Sequence, residues 1–106
     1  MPPAEPTVAD APERSRFEIH VDGEKAGFAA YRMKDPRLMV LTHTEIDDAY
    51  EGRGLGSVLV RAALDSARGR GLSVRPDCPF GRAYIARHPV DYLALVPEEL
   101  RPRLGL

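Results

Sequence analysis

The sequence predicts an α/β fold with two main helices and a mixed sheet of about four strands, an antiparallel meander followed by a parallel crossover. Three observations support this prediction. Apolar and polar residues alternate on both sides of a hairpin signal at Asp22-Gly23, as in antiparallel strands. An apolar run at 38–46 leads through a glycine-rich loop into an amphipathic helix. A second alternation at 72–75 follows, in the order of a β-α-β unit.

Length and charge restrict the classes of protein to consider. The 106 residues allow one domain. The formal net charge is −1 with basic and acidic residues interspersed, so we expect no nucleic-acid partner. No apolar run approaches the roughly 18 residues of a transmembrane helix, so we expect no membrane association. The single cysteine, Cys78, is typical of a reducing compartment and predicts a cytoplasmic protein.

Three segments are predicted along the chain. Residues 1–14 are rich in proline and poor in apolar side chains that could pack, so we expect a disordered leader there. The folded domain is expected at residues 15–96, and residues 97–106 form a C-terminal tail.

The first strands lie on either side of the Asp22-Gly23 turn. Their apolar positions are Phe17, Ile19, Val21, Ala26, Phe28 and Ala30. Asp35-Pro36 marks the next turn, because proline fixes φ and aspartate favours turn initiation. A third strand is predicted from about Leu38 to Ile46.

The second half of the chain contains the predicted crossover. A helix is expected from Leu55 to Ala67, because its apolar residues recur on one face. Residues Leu72 to Arg75 fit a fourth strand, parallel to the third. A second short helix from Phe80 to Arg87 is stopped by His88-Pro89.

Three alternate glycines, Gly52, Gly54 and Gly56, join the third strand to the first helix. Glycine lets a backbone turn sharply and lets a ligand touch main-chain amides, and the helix start offers unpaired N–H groups to an anion. The alternative is that these glycines only shape the turn. The loop lacks both a P-loop ending and a complete dinucleotide fingerprint, so a phosphate or pyrophosphate of another kind of ligand is expected.

The segment from Glu51 to Gly56 resembles the Q/R-x-x-G-x-G/A pyrophosphate loop of GNAT acetyltransferases. Glu51 stands where that family usually has Gln or Arg, and Arg53 can supply the positive charge instead. The strand at 41–46, Leu-Thr-His-Thr-Glu-Ile, and the segment 78–92, with Cys-Pro-Phe and Tyr-Ile-Ala-Arg-His-Pro, resemble a family of very small stand-alone GNAT-like acetyltransferases. Together these motifs extend over most of residues 16–92.

The resemblance implies a truncated GNAT-like fold without the two early helices of larger relatives. It implies an N-acetyltransferase that moves an acetyl group from acetyl-CoA to an amine. We also expect no metal cofactor, and a monomer or weak homo-oligomer. Its implied acetyl-CoA contacts are Ile46, Asp47, Glu51, Gly52, Arg53, Gly54, Leu55, Gly56, Ser57, Phe80 and Tyr84. The alternative function is a non-catalytic CoA-binding or acyl-CoA-binding module.

Four residues are candidates for catalysis, and each has a structural alternative. The resemblance places Cys78 and His43 near the acetyl group, where His43 could take a proton from the thiol or from the amine. The alternatives are a buried, inert cysteine and a histidine hydrogen-bonded within the sheet. Glu45 is either a base or an acceptor for loop amides. Tyr84 is either a core residue or, by likeness to many GNAT enzymes, the acid that protonates the leaving thiolate.

Two reaction routes follow from these candidates. The amine attacks the thioester directly, assisted by His43 or Glu45, or Cys78 first accepts the acetyl group as a covalent intermediate. The sequence leaves both routes open.

Overall fold

The computed structural model describes residues 5–106, so the expectation for residues 1–4 lies outside the described part of the chain. One five-stranded sheet has the strand order β1-β2-β3-β4-β5. The strands are β1 (Thr7–Ala11), β2 (Arg16–Val21), β3 (Glu24–Asp35), β4 (Leu38–Ile46) and β5 (Ser73–Pro76). Neighbouring strands are antiparallel except β4 and β5, which are parallel. The predicted α/β class and the order of meander and crossover are confirmed.

Two longer helices and several short helical turns complete the fold. The α-helices are α1 (Leu55–Gly69), α2 (Pro79–Arg87), α3 (Pro89–Tyr92) and α4 (Arg101–Leu104). The 3-10 turns are Pro12–Arg14, Asp48–Tyr50, Leu93–Leu95 and Glu98–Leu100. Among residues 5–106, none of the helices combines the length and hydropathy that a membrane span requires.

The sheet has five strands rather than the four predicted. The additional strand is β1, which lies in the N-terminal segment that was expected to be disordered. Residues Thr7–Ala11 pair with β2 along their whole length. The Tyr31 hydroxyl donates a hydrogen bond of 2.7 Å to the Asp10 carboxylate. Burial, together with this bond, raises the pKa of Tyr31 to about 12. This five-residue strand lies between Pro6 and Pro12. It was not predicted because prolines are rare within strands and the segment is rich in them.

The C-terminal segment is also part of the domain. Val96 is fully buried, and Leu100, Leu104 and Leu106 pack against the core. Residues 97–106 therefore do not form a separate tail, because their leucines recur at helical spacing and need a surface to cover.

The core lies between one face of the sheet and the two longer helices. Its sheet residues include Phe17, Ile19, Ala29 and Met39, and α1 contributes Leu59, Ala63, Leu64 and Ala67. We call this side of the sheet the helix face. Helix α1 packs against β2, β3 and β4, while α2 contacts β4, β5 and α1. The apolar stripe of α1 predicted from its periodicity is therefore the buried stripe.

The opposite side of the sheet, which we call the second face, carries Glu18, Phe28, Ala30 and His43. Glu18 is buried on it and receives hydrogen bonds from Arg16, at 2.8 Å, and from Arg14, at 3.0 Å. The hydrogen bond from Arg16 lowers the pKa of Glu18 from its ordinary value of 4.5. The Arg16 guanidinium also lies 4.7 Å above the centre of the Phe28 ring. A buried carboxylate paired in this way remains ionised at neutral pH.

Strand β4 carries a bulge where it leaves β5. Ala30 pairs with His43 and Tyr31 with Leu41, so Thr42 is an extra residue without a partner on β3. Pairing between β4 and β5 ends at Leu41 and Pro76. The Cys78 amide then donates to the Leu41 carbonyl at 3.0 Å, and the two strands separate. We call this opening, between residues 42–46 of β4 and the start of α2, the fork.

The peptide groups of Thr44 and Ile46 point toward the fork. The Asp47 amide donates to the Ala26 carbonyl at 2.8 Å, so these two opposed residues form a hydrogen-bonded pair. Hydrogen-bonded and non-hydrogen-bonded pairs alternate along antiparallel strands. The backbone groups of Glu45 and His43 are therefore hydrogen-bonded to β3. The intervening residues direct their N–H and C=O groups to the other side, where β5 no longer pairs with them. Among residues 5–106, no backbone group pairs with this edge of the fork.

Removal of residues 1–11 should lower the thermal unfolding midpoint by about 5 °C or more, because β2 loses its neighbour and Tyr31 loses its acceptor. Differential scanning fluorimetry measures this change. Thr7→Ala, which replaces an exposed residue of the same strand, is the control and should leave the midpoint unchanged. An unchanged midpoint in the truncated protein would restore the expectation of a dispensable leader.

Candidate active site

A groove of about 310 Å³ lies at the carboxyl end of β4, between the glycine loop and α2. It is lined by Ile46, Tyr50, Glu51, Gly52, Gly54, Leu55, Gly56, Ser57, Phe80 and Arg87. Eight of these ten residues belong to the predicted acetyl-CoA contacts, and Tyr50 and Arg87 were not predicted. The groove is continuous with the end of the strand whose backbone is unpaired.

The glycine loop adopts a conformation that favours glycine at two positions. Gly52 has φ 80° and Gly54 has φ 73°, both in the left-handed region. Gly54 is the residue immediately before α1, and the first bond inside that helix runs from the Val58 amide to the Gly54 carbonyl. The amides of residues 55–57 therefore point out of the helix end, and no acidic side chain lies in this first turn. This end of α1 suits an anion.

Phe80 forms the wall of the groove opposite the loop. A Cβ atom added to Gly56 would lie 2.7 Å from the ring carbon Cζ of Phe80, so only glycine allows the ring to lie this close. The Phe80 side chain remains 40% exposed. A flat apolar surface therefore faces the groove beside the free amides, an arrangement suited to a ligand with both anionic and apolar parts.

Two arginines lie near the loop. Arg87 lines the groove from the end of α2, seven residues after Phe80 and thus on the same side of the helix. This seven-residue spacing from Phe80 is visible in the sequence and would have indicated Arg87 as a groove residue. Arg53 lies 5.3 Å above the centre of the Tyr50 ring. The Tyr50 hydroxyl donates to Glu24 at 2.9 Å, and this bond raises its pKa.

Cys78 lies at the fork, beside β4. Its side chain is 3% exposed, and its thiol donates to the Thr44 hydroxyl at an Sγ–Oγ1 distance of 3.3 Å. It is also the residue immediately before α2, where Pro79 begins the helix. The fork therefore brings Cys78 next to the unpaired backbone of β4.

His43 and Glu45 lie on the second face, beside the same strand. The His43 ring is 5.9 Å from the Phe28 ring, measured between centres. Successive residues of a strand point to opposite faces, so His43 and Thr44 diverge. The thiol of Cys78 is paired with Thr44, so of the two proton transfers considered for His43, the one from this thiol has no contact to support it. The sequence left it open because it does not reveal which face each side chain occupies.

The other predicted residues lie beside the groove rather than in its lining. Tyr84 is buried, with its ring 4.5 Å from His88 and 5.7 Å from Tyr92, measured between ring centres. These contacts favour the alternative in which Tyr84 is a core residue. Asp47 uses its amide to bond Ala26, so that amide is engaged by the sheet. Within residues 5–106, no cluster of three or more His, Cys, Asp or Glu side chains is placed to hold a metal ion.

Comparisons with known proteins identify a family for this chain and a solved structure with a similar fold. The profile of the GCN5-related N-acetyl-transferase family matches residues 16–95. Protein NATD1 of Mus musculus is 32% identical over 92 residues, which cover 85% of this chain and 80% of NATD1. Streptothricin acetyltransferase of Streptomyces lavendulae is 41% identical over 64 residues, 58% of this chain and 33% of that enzyme. The solution structure of a GCN5-like protein of Staphylococcus aureus matches with a TM-score of 0.61 and 21% identity, covering 79% of this chain and 81% of that one.

Gly54→Ala should weaken CoA binding by about tenfold, because an alanine at φ 73° shifts the amides at the start of α1. Isothermal titration calorimetry measures the affinity. Gly71→Ala is the matched control: Gly71 also has a positive φ, 69°, with open space around it, but it lies at the other end of α1. Both variants should lose about 1 kcal/mol of stability. Equal CoA affinities in the two variants would contradict a role for the loop.

Proposed function

The chain belongs to the GCN5-related N-acetyltransferase family, and we propose that it binds acetyl-CoA in the groove between the glycine loop and α2. In the proposed reaction, an amine attacks the thioester of acetyl-CoA directly and becomes acetylated. The observation that carries this proposal is that the free amides of α1 and the unpaired backbone of β4 border the same groove. We also place the chain among the small stand-alone members with Cys-Pro-Phe and His-Pro motifs, which here border α2.

The residues present fit the parts of a CoA molecule. The amides of residues 55–57 and the positive end of the α1 dipole suit its pyrophosphate. Arg87 and Arg53 place positive charge on either side of the loop. The close approach of Phe80 to Gly56 provides an apolar surface for the adenine or for the pantetheine arm. The groove thus offers a partner to each chemical part of this ligand.

The unpaired edge of β4 suits the extended arm of the same ligand. Thr44 and Ile46 present N–H and C=O groups toward the fork, and a pantetheine arm carries amide groups of matching chemistry. A pantetheine arm bound there would form the backbone hydrogen bonds that β5 does not form with this part of β4. Bound acetyl-CoA supplies a thioester whose acyl carbon bonds to the amine nitrogen as the bond to sulfur breaks.

We assign Cys78 to the wall of the site rather than to the role of nucleophile. A thiol acts as a nucleophile when a base or a positive group converts it to the thiolate. The hydrogen-bond partner of Cys78 is the Thr44 hydroxyl, which is neither. The thiol is also buried, so it fixes the position of Thr44 beside the fork. This arrangement favours direct attack by the amine over an acetyl-cysteine route.

His43 is the proposed proton acceptor. It lies on β4 at the bulge and faces the second side of the sheet, so an amine that arrives there meets the imidazole before it reaches the fork. Histidine changes charge near neutral pH, which suits removal of a proton from an ammonium group. Glu45, two residues along on the same face, adds negative charge that attracts a cationic amine.

His43→Gln should lower kcat by about 100-fold or more, because a general base is lost, whereas Cys78→Ala should keep most of the activity. CoA release with the best amine of a diverse panel measures the rates, and acetyl-CoA affinity should be unchanged in both variants. His20→Gln, a histidine substitution on β2, is the control. The proposal fails if Cys78→Ala is inactive and intact-mass spectra show an acetyl group on the parent protein that this variant lacks.

A further inference from the structure

A second cavity, of about 260 Å³, lies on the second face of the sheet. Lys34 of β3 and Arg75 of β5 both line it. Strand β4 lies between those two strands, so the cavity must lie over β4. Arg75 is in register with Val40, which in turn pairs with Arg32. Arg32 shares its side of β3 with Phe28 and Ala30, which places the cavity on the second face.

The C-terminal segment closes this cavity from the other side. Leu100, Arg103 and Leu104 line it, together with Asp77 at the end of β5. The two leucines provide an apolar wall, and the remaining lining side chains are polar or charged. The segment expected to be a tail is therefore one wall of a cavity.

Positive charge dominates the cavity. Both carboxylate oxygens of Asp77 are bound by Arg75, each at 3.0 Å, so its negative charge is already compensated. Lys34 and Arg103 take part in none of the ion pairs formed within residues 5–106. Two cations beside an apolar wall suit a ligand that has an anionic group attached to a short hydrocarbon chain.

The cavity lies next to the fork. Asp77 follows Pro76, the last residue of β5 paired with β4, and precedes Cys78. On β4, Val40 and His43 share the second face and are three residues apart, a distance of about 10 Å along a strand. A molecule in the cavity can therefore extend one end toward His43 and the fork, from the face opposite the helices.

We propose that this cavity holds the anionic end of the acceptor, and that the acceptor is a primary amine joined through a short apolar chain to a carboxylate or phosphate. This inference rests on the proposed acetyl transfer. Lys34 and Arg103 bind the anion, Leu100 and Leu104 cover the chain, and the amine reaches the fork beside His43. The ammonium nitrogen loses two protons as it bonds to the acyl carbon. One passes through His43 to solvent and the other ends on the CoA thiol.

Matched pairs of amines test the inference. We compare kcat/KM for 6-aminohexanoate with hexylamine, and for 4-aminobutyrate with butylamine. The amino acids should be better substrates by about tenfold or more, the effect of one charged hydrogen bond. In the double variant Lys34→Gln/Arg103→Gln that advantage should disappear while the rates with alkylamines and the affinity for CoA are unchanged. The double variant Arg61→Gln/Arg82→Gln, at an exposed position of α1 and a half-buried position of α2, should behave like the parent.

Equal rates for the members of each pair, or an advantage that persists in Lys34→Gln/Arg103→Gln, would overturn the inference. If no amine is acetylated at all, the proposed function fails. Whether the cavity binds an anion is then tested by a binding measurement alone. A nuclear magnetic resonance titration with 6-aminohexanoate should then shift the amide signals of residues 34, 75, 77, 100, 101, 103 and 104 in the parent but not in the double variant. Absence of those shifts in the parent would reject the cavity as an anion site.

Discussion

The end of hydrogen bonding between β4 and β5, at Leu41 and Pro76, is the constraint on which the site depends. Parallel strands joined by a helix bring their carboxyl ends to one edge of the sheet, where ligands of α/β proteins gather. Here the strands also separate, so β4 presents unpaired peptide groups to a groove that begins at the glycine loop. Thr44 and Ile46 are partly exposed, so their unpaired peptide groups are open to solvent or to an extended ligand. The separation thus provides both hydrogen-bonding groups and space for a ligand.

A large part of the fold follows from sequence patterns, because local geometry and periodicity determine it. The bounds of β4 are those predicted, and the hairpin at Asp22-Gly23 has the two positive φ values, 52° and 78°, that such a turn requires. Strand β1 escaped prediction because its stability comes from pairing with β2 and from the bond between Tyr31 and Asp10, which connects distant residues. Long-range contacts of this kind leave no local pattern.

Part of the candidate site could also be predicted from the sequence, and part could not. The glycine loop and Phe80 could be identified from their residue types, because glycines before a helix have a specific physical use. The relation between His43 and Cys78 could not, because one extra residue at Thr42 and the alternation of faces decide it. Arg87 was missed because its role depends on which side of α2 faces the groove. The burial of Glu18 between two arginines likewise has no local signature.

Amide hydrogen exchange, followed by nuclear magnetic resonance with and without CoA, tests the central claim most directly. The claim is that the free amides at the start of α1 and the unpaired edge of β4 bind one ligand. Saturating CoA should slow exchange at Leu55, Gly56 and Ser57, and also at Thr44 and Ile46, while amides of β1 and β2 exchange at nearly their original rates. Protection limited to the helix start, or protection absent from both segments in a protein that binds CoA, would contradict the account.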